Sequence, residues 1–259
     1  MTSVATPFAA LHHAGAPLLL PNAWDHASAL ALARQGFAAV GTTSLGVAAA
    51  AGLPDGTAAT RDLTLRLARQ LGGEGLLLSV DAEDGFGQDP DDVAGLAREL
   101  ADAGAAGINI EDGLGPVGPH AAKIAAVKAA VPELFVNART DTYWLGDGGH
   151  AETCRRLDAY VQAGADGVFV PGLSDPGRIA DLVTTFDVPL NILYSPLGPT
   201  FPQLGDLGVR RVSLGSLLYR RALGAALDTA LDIRAGRTPR GGAPDYAEVQ
   251  ALSAQRGDT

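Results

Sequence analysis

Four stretches of the chain share one pattern: QGFAAVGTTS at 35–44, AGAAGINIED at 103–112, AGADGVFVPG at 163–172 and LGVRRVSLGS at 207–216. In each, a glycine closes a helical segment, a short apolar run follows, and the run ends in polar or small residues. Runs of this kind recur near Leu18–Leu20, Ala38–Gly41, Leu76–Val80, Gly107–Ile110, Leu134–Asn137, Gly167–Val170, Pro189–Ile192 and Arg211–Leu214. Segments of helical periodicity lie between them, for example HASALALARQ, TRDLTLRLARQL, DPDDVAGLARELADAG and HAAKIAAVKAAV. Apolar strands that alternate with helices are buried on both faces and make a parallel sheet. About eight such units in 259 residues fit a (β/α)8 TIM-type barrel better than an open doubly wound sheet. The barrel is expected over residues 1–233. RAGRTPRGGAP, from 234, then reads as a linker, and DYAEVQALSAQ as a short C-terminal helix packing on the barrel or on a neighbouring subunit.

A barrel of this type carries its chemistry at the C-terminal ends of its strands. The residues just past each apolar run are strongly polar: Asn22, Trp24 and Asp25 after the first, Thr42, Thr43 and Ser44 after the second, and Asp81, Glu83 and Asp84 after the third. Glu111 and Asp112 follow the fourth run, Asn137, Arg139 and Asp141 end the fifth, and Asn191 lies on the seventh. Asp81, Glu83 and Glu111 therefore meet at one end of neighbouring strands, where a hard divalent cation, Mg2+ or Mn2+, would neutralise them. Taken singly, each acid also fits a helix cap or a solvated loop. Arg139 is placed to grip a carboxylate or a developing oxyanion, or to form a structural ion pair with Asp112 or Asp141. TTSLG can aim backbone N–H groups at an anionic oxygen, and equally can be an ordinary tight turn. His120, at the start of the fourth helical segment, is a candidate acid/base group.

Composition removes several other classes. With 19 Lys+Arg against 29 Asp+Glu, the net charge of -10 disfavours a nucleic-acid partner. The N-terminus lacks a basic segment leading into an apolar core, and the longest apolar stretch is broken by Gly and Thr, so neither a signal peptide nor a membrane span is expected. The single Cys154 makes no internal disulfide and fits a cytoplasmic setting. GLGPVG at 113–118 matches a dinucleotide fingerprint only formally, because Pro116 removes a backbone donor. There is no GxSxG elbow, and the five histidines lack metal-ligand spacing. The only lysines, Lys123 and Lys128, fall within one helix, which disfavours a Schiff base.

PNAWDHASALALARQGFAAVGTTSLGVAAAAGLPDG, SVDAEDGFG, GINIEDG, VNARTD and GADGVFVPG occur in this order, and together they resemble the isocitrate lyase/phosphoenolpyruvate mutase superfamily over roughly residues 15–220. The resemblance implies a (β/α)8-type barrel that binds Mg2+ and a small 2-oxo acid, oxaloacetate- or 2-oxoglutarate-like, and makes or breaks C–C or P–C bonds through an enolate. It implies Asp81 as metal ligand, with Glu83 and Glu111 completing the metal set directly or through water. Arg139 and Asp55 fall on catalytic positions. Thr43, Ser44 and Leu45 fall on the anion-holding turn, and Trp24 and Asn191 join them as substrate-binding candidates. Isocitrate and methylisocitrate lyases carry K-K-C-G-H after the fourth strand, where this chain has DGLGPVGPHAAK without a cysteine. The Asn-bearing loop of the phosphonomutases is absent too. A Mg2+-dependent lyase or decarboxylase is therefore the leading expectation, phosphoenolpyruvate mutase-like chemistry or a 2-oxo acid binding protein the alternatives, and a homo-oligomer (dimer or tetramer) the expected assembly.

Overall fold

A computed structural model describes residues 6–146 and 149–253. Among these, nine parallel strand segments alternate with eleven helices. The strands are β1 (Leu18–Leu20), β2 (Asn22–Ala23), β3 (Val40–Thr42), β4 (Leu78–Asp81), β5 (Ala105–Glu111), β6 (Phe135–Arg139), β7 (Gly167–Phe169), β8 (Leu190–Leu193) and β9 (Arg211–Ser213). β1 and β2 are two halves of one barrel strand, parted at Pro21, which has no N–H to give to a ladder. β1 pairs with β9 and β2 with β3, so the sheet closes on itself as a (β/α)8 barrel. All eight expected strands are present, displaced by at most about two residues.

Helices form where periodicity and caps coincide. Asp25 accepts from the amide of Ser28 at 2.7 Å, and Ser28 Oγ accepts from the amide of Asp25, a capping box that opens α2 (His26–Arg34). Asp89 before Pro90 opens α5 (Pro90–Asp102), and Asp175 before Pro176 opens α8 (Pro176–Thr185). Gly104 and Gly164, the glycines of the two AGA units, have φ of +92° and +101°. This left-handed geometry turns each helix back into a strand at little cost only for glycine.

Two-residue periodicity along the strands sorts the interior. Val80, Ile108, Ile110, Val136, Val168, Ile192 and Val212 belong to the main buried core, shared with the surrounding helices. The alternate positions carry polar side chains: Ser79, Asn109, Asn137, Asn191 and Arg211 are all buried. They are linked to one another: Asn137 donates to Asn109 at 2.8 Å, Arg211 to Asn109 at 3.1 Å and to Ser213 at 3.1 Å, and Asn191 to Ser213 at 3.0 Å. At the opposite end from the strand C-termini, Phe8 of α1 (Pro7–Leu11) and His12 pack against Phe135. After β9 come α10 (Leu217–Arg234) and α11 (Tyr246–Ala251); the last residues of the expected terminal helix lie outside the described ones. No helix among the described residues is long and apolar enough to cross a membrane.

Candidate active site

Two residues beyond the buried polar layer, the same strands point Asp81, Glu111 and Arg139 into one cavity. Register explains why: Asp81 sits beside Asn109 in the β4–β5 ladder, and Glu111 beside Arg139 in the β5–β6 ladder. The cavity, about 360 Å³, opens at the C-terminal ends of the strands. Its acids are Asp55, Asp81, Glu111 and Asp141, and its apolar walls include Trp144 and Phe169.

Each polar group is held by a named neighbour. The amide of Ser44 donates to Asp81 Oδ2 at 3.0 Å, and the amide of Asp81 to Thr42 Oγ1 at 2.8 Å. Arg139 pairs through Nη1 with Glu111 at 2.7 Å and through Nε with Asp141 at 2.7 Å, and its guanidinium lies 5.8 Å from the Phe169 ring centre. Asp112 faces away from the cavity. It accepts from the amides of Leu114 and Asp141, from Arg156 at 3.0 Å and from the Tyr160 hydroxyl at 2.8 Å. Arg156 also donates to the carbonyl of Gly115, so the short turn before α6 (Val117–Ala130) is tied down from below.

The electrostatics show an excess of negative charge. Burial pushes Glu111 up to about 8; Arg139 opposes the shift, while Asp81, Asp141 and Asp55 add to it. Burial also raises Asp55 and Asp141. Burial disfavours the charge of Arg139, yet Glu111, Asp141 and Asp81 outweigh it and push the guanidinium up. Four carboxylates thus share one guanidinium, and among the described residues lining the cavity none is His or Cys. An oxygen-only donor set with surplus negative charge fits a hard divalent cation such as Mg2+.

The structure brings Asp55, Asp81, Glu111, Arg139, Thr43, Ser44 and Leu45 to the cavity and leaves four other candidates outside it. Glu83 has φ of +48°, which turns its side chain to the Thr60 hydroxyl at 2.5 Å and the Ala58 amide at 3.1 Å. There it anchors the loop that carries Asp55. His120 is buried against Tyr160 with ring centres 4.7 Å apart, and burial lowers it to about 4. Trp24 packs against Tyr219 of α10, and Asn191 belongs to the polar layer below. Asp84 is drawn off to Lys123. Strand parity marks Phe169, two residues past Gly167, as a wall of the site. Trp144 has no such signal in the sequence. Asn22 accepts from the amides of Leu214 and Gly215 and donates to the Thr42 carbonyl, a clasp across the β2–β9 seam that no motif announces.

Comparison with known proteins places the fold in a family. The sequence profile described as phosphoenolpyruvate phosphomutase matches residues 8–234. An uncharacterized protein of Mycobacterium tuberculosis is 47% identical over 248 residues, which cover 93% of each chain. The 2-methylisocitrate lyase of Bacillus subtilis is 31% identical over 197 residues, 71% of this chain and 64% of its own. The crystal structure of phosphonopyruvate hydrolase with oxalate and Mg2+ superposes with a TM-score of 0.82 at 25% identity, over 95% of this chain and 93% of that one. The chain belongs to the phosphoenolpyruvate phosphomutase family, within the isocitrate lyase/phosphoenolpyruvate mutase superfamily of Mg2+-dependent lyases and mutases.

Proposed function

We propose that the protein is a Mg2+-dependent carbon–carbon lyase or decarboxylase acting on a small 2-oxo dicarboxylate of the oxaloacetate or 2-oxoglutarate kind. The observation that carries this reading is the grouping of Asp81, Glu111, Asp55 and Arg139 around one cavity of about 360 Å³. Asp81 and Glu111 would hold the cation, directly or through water, and Glu83 acts at a distance by fixing the Asp55 loop. The bound cation would polarise the 2-oxo group and an adjacent carboxylate oxygen.

The chain's own residues do the rest. Arg139, already aligned by Glu111 and Asp141, donates to the oxygen on which charge develops as the bond breaks. The amides of Thr43 and Ser44 are occupied by Ala23 and Asp81, so Leu45, in the first turn of α3 (Ser44–Ala50) and lining the cavity, offers an N–H of that turn to a substrate carboxylate. His120 is enclosed, and the Tyr143 hydroxyl is engaged with His150 and Arg178. Asp55, raised by burial and bordering the cavity, is the group that can hold the proton returned to the enolate carbon. Trp144 and Phe169 supply apolar walls beside the reacting carbon. The short turn between β5 and α6, bound to Arg156, puts no long loop of its own over the cavity, which favours a small acid over a tricarboxylate. α10 has no buried residue, and Leu223, Leu227 and Leu231 lie on one face at 45–57% exposure. We assign that face to contact with a second copy of the chain.

The test is consumption of oxaloacetate and 2-oxoglutarate, followed by proton NMR, against the rate with free Mg2+ alone. Oxalate, an enolate mimic, should bind only when Mg2+ is present. Oxalate binding without turnover of any 2-oxo acid would leave a binding protein and sink the lyase reading. Loss of the phosphonopyruvate signal in phosphorus NMR would replace it with P–C chemistry.

A further inference from the structure

A second cluster of ligating side chains lies on the outer helices. α7 (His150–Gln162) carries His150 and Cys154 one turn apart, so imidazole and thiol share a face. Asp181 of α8 reaches the same place, and its Oδ2 meets His150 Nε2 at 2.5 Å. The ligand atoms of all three lie within 4.8 Å of one another. His150 and Cys154 are half-buried, and Asp181 keeps one side open to solvent.

The imidazole is oriented from behind. The Tyr143 hydroxyl lies 3.2 Å from His150 Nδ1, and Arg178 donates to the same hydroxyl at 3.0 Å. A metal-binding histidine characteristically uses its second ring nitrogen in this way. Partial burial and the Asp181 carboxylate push the free Cys154 thiol up, so the thiol is not activated as a nucleophile. Its neighbours suit a cation better than they suit covalent catalysis.

We infer that His150, Cys154 and Asp181 form a second metal site, selective for Zn2+ and separate from the hard-cation site at the barrel mouth. Sulfur, nitrogen and one carboxylate oxygen form the borderline donor set that Zn2+ takes and Mg2+ does not. Tetrahedral Zn2+ with bonds of about 2.0–2.3 Å sets its ligands roughly 3.3–3.8 Å apart. The His150–Asp181 contact therefore opens by about an ångström, and Cys154, within 4.8 Å of both, closes by at most about as much. The ion takes the place of the proton between Nε2 and Oδ2. The proton displaced from Nε2 is taken up at Nδ1, which donates it to the Tyr143 oxygen, and the thiol proton leaves to solvent. Three protein ligands leave a fourth position for water. Tyr143 directly precedes Trp144, so an ion here also steadies the wall of the cavity.

The experiment is titration of Co2+ into the chelator-treated full chain in excess Mg2+, read by absorption. One equivalent is expected to give a near-ultraviolet thiolate-to-cobalt band, which Zn2+ removes. Cys154→Ser should abolish the band with circular dichroism unchanged, and His150→Ala should weaken binding at least about tenfold. Asp81→Ala, at the barrel mouth, should retain the band. Absence of the band in the unmodified protein, Co2+ affinity undiminished in Cys154→Ser, or a band lost in Asp81→Ala would each overturn the proposal.

Discussion

Arg139 bears the largest expected effect at the scale of single residues. Arg139→Met removes the donor aimed at the developing oxyanion, and kcat is predicted to fall about 10²–10³-fold. Arg139→Lys should not restore it, because an ammonium cannot hold Glu111 and Asp141 in the same plane. Steady-state kinetics on the turned-over 2-oxo acid check both; a kcat within about twofold of the parent for Arg139→Met would remove the residue from the mechanism. Glu111 makes a separate prediction. Its folded-state value of about 8 lies above its ordinary 4.5, so without a cation the folded chain keeps a proton that the unfolded chain releases. The stability this supplies is complete below about pH 4.5 and is lost as pH rises through about 8. A cation needs the carboxylate, so Mg2+ affinity should climb up to about tenfold per pH unit below 8 and level off above it. Calorimetry across that range tests this, and a flat affinity contradicts it. Glu111→Gln should abolish the slope. The SVDAEDG stretch shows what was legible at this scale and what was not. Residue type and strand end placed Asp81 at the cavity, but Asp81, Glu83 and Asp84 go three different ways. The left-handed backbone at Glu83 decides its direction, and no spacing rule encodes that turn.

At the scale of elements, helix and strand positions followed from periodicity because each unit repeats the same local physics: a capped helix, a glycine turn and a buried strand. Close approach between elements is less visible in a sequence. Gly72, at the end of α4 (Arg61–Gly72), lies where an added Cβ would meet the Ala103 carbonyl oxygen at 1.7 Å. Both partners are backbone, so neither can rotate away, and Gly72→Ala is expected to destabilise by about 3 kcal/mol or more. Gly95, inside α5, has open space around its Cβ direction, and Gly95→Ala should instead stabilise by about 0.5–1 kcal/mol. Urea unfolding distinguishes the two; equal midpoints for the two variants would refute the contact. The five-residue turn from Asp112 to Pro116 is a second such case. The buried Asp112–Arg156 bridge that holds it joins residues 44 apart, which no local pattern encodes.

For the whole molecule, the alternation of elements was enough to indicate closure into a barrel, and the exposed leucine face of α10 is the one assigned to a second copy. Leu223→Glu with Leu227→Glu should lower the association state in sedimentation without loss of circular dichroism, and a monomeric parent protein would end that assignment. Closure itself depends on the seam at Pro21, where β1 takes β9 and β2 takes β3 as partners. Asn22 spans that seam to Gly215, 193 residues later. On the ribosome the first strand is therefore made almost a whole chain ahead of its partner. Until β9 emerges, both edges of the sheet, at β1 and at β8, and the polar layer around Asn109 and Asn191 stay open to water and to other nascent chains. The residue that completes this polar interior, Arg211, arrives with the closing strand, so the barrel interior can be completed only after almost every other strand has been made.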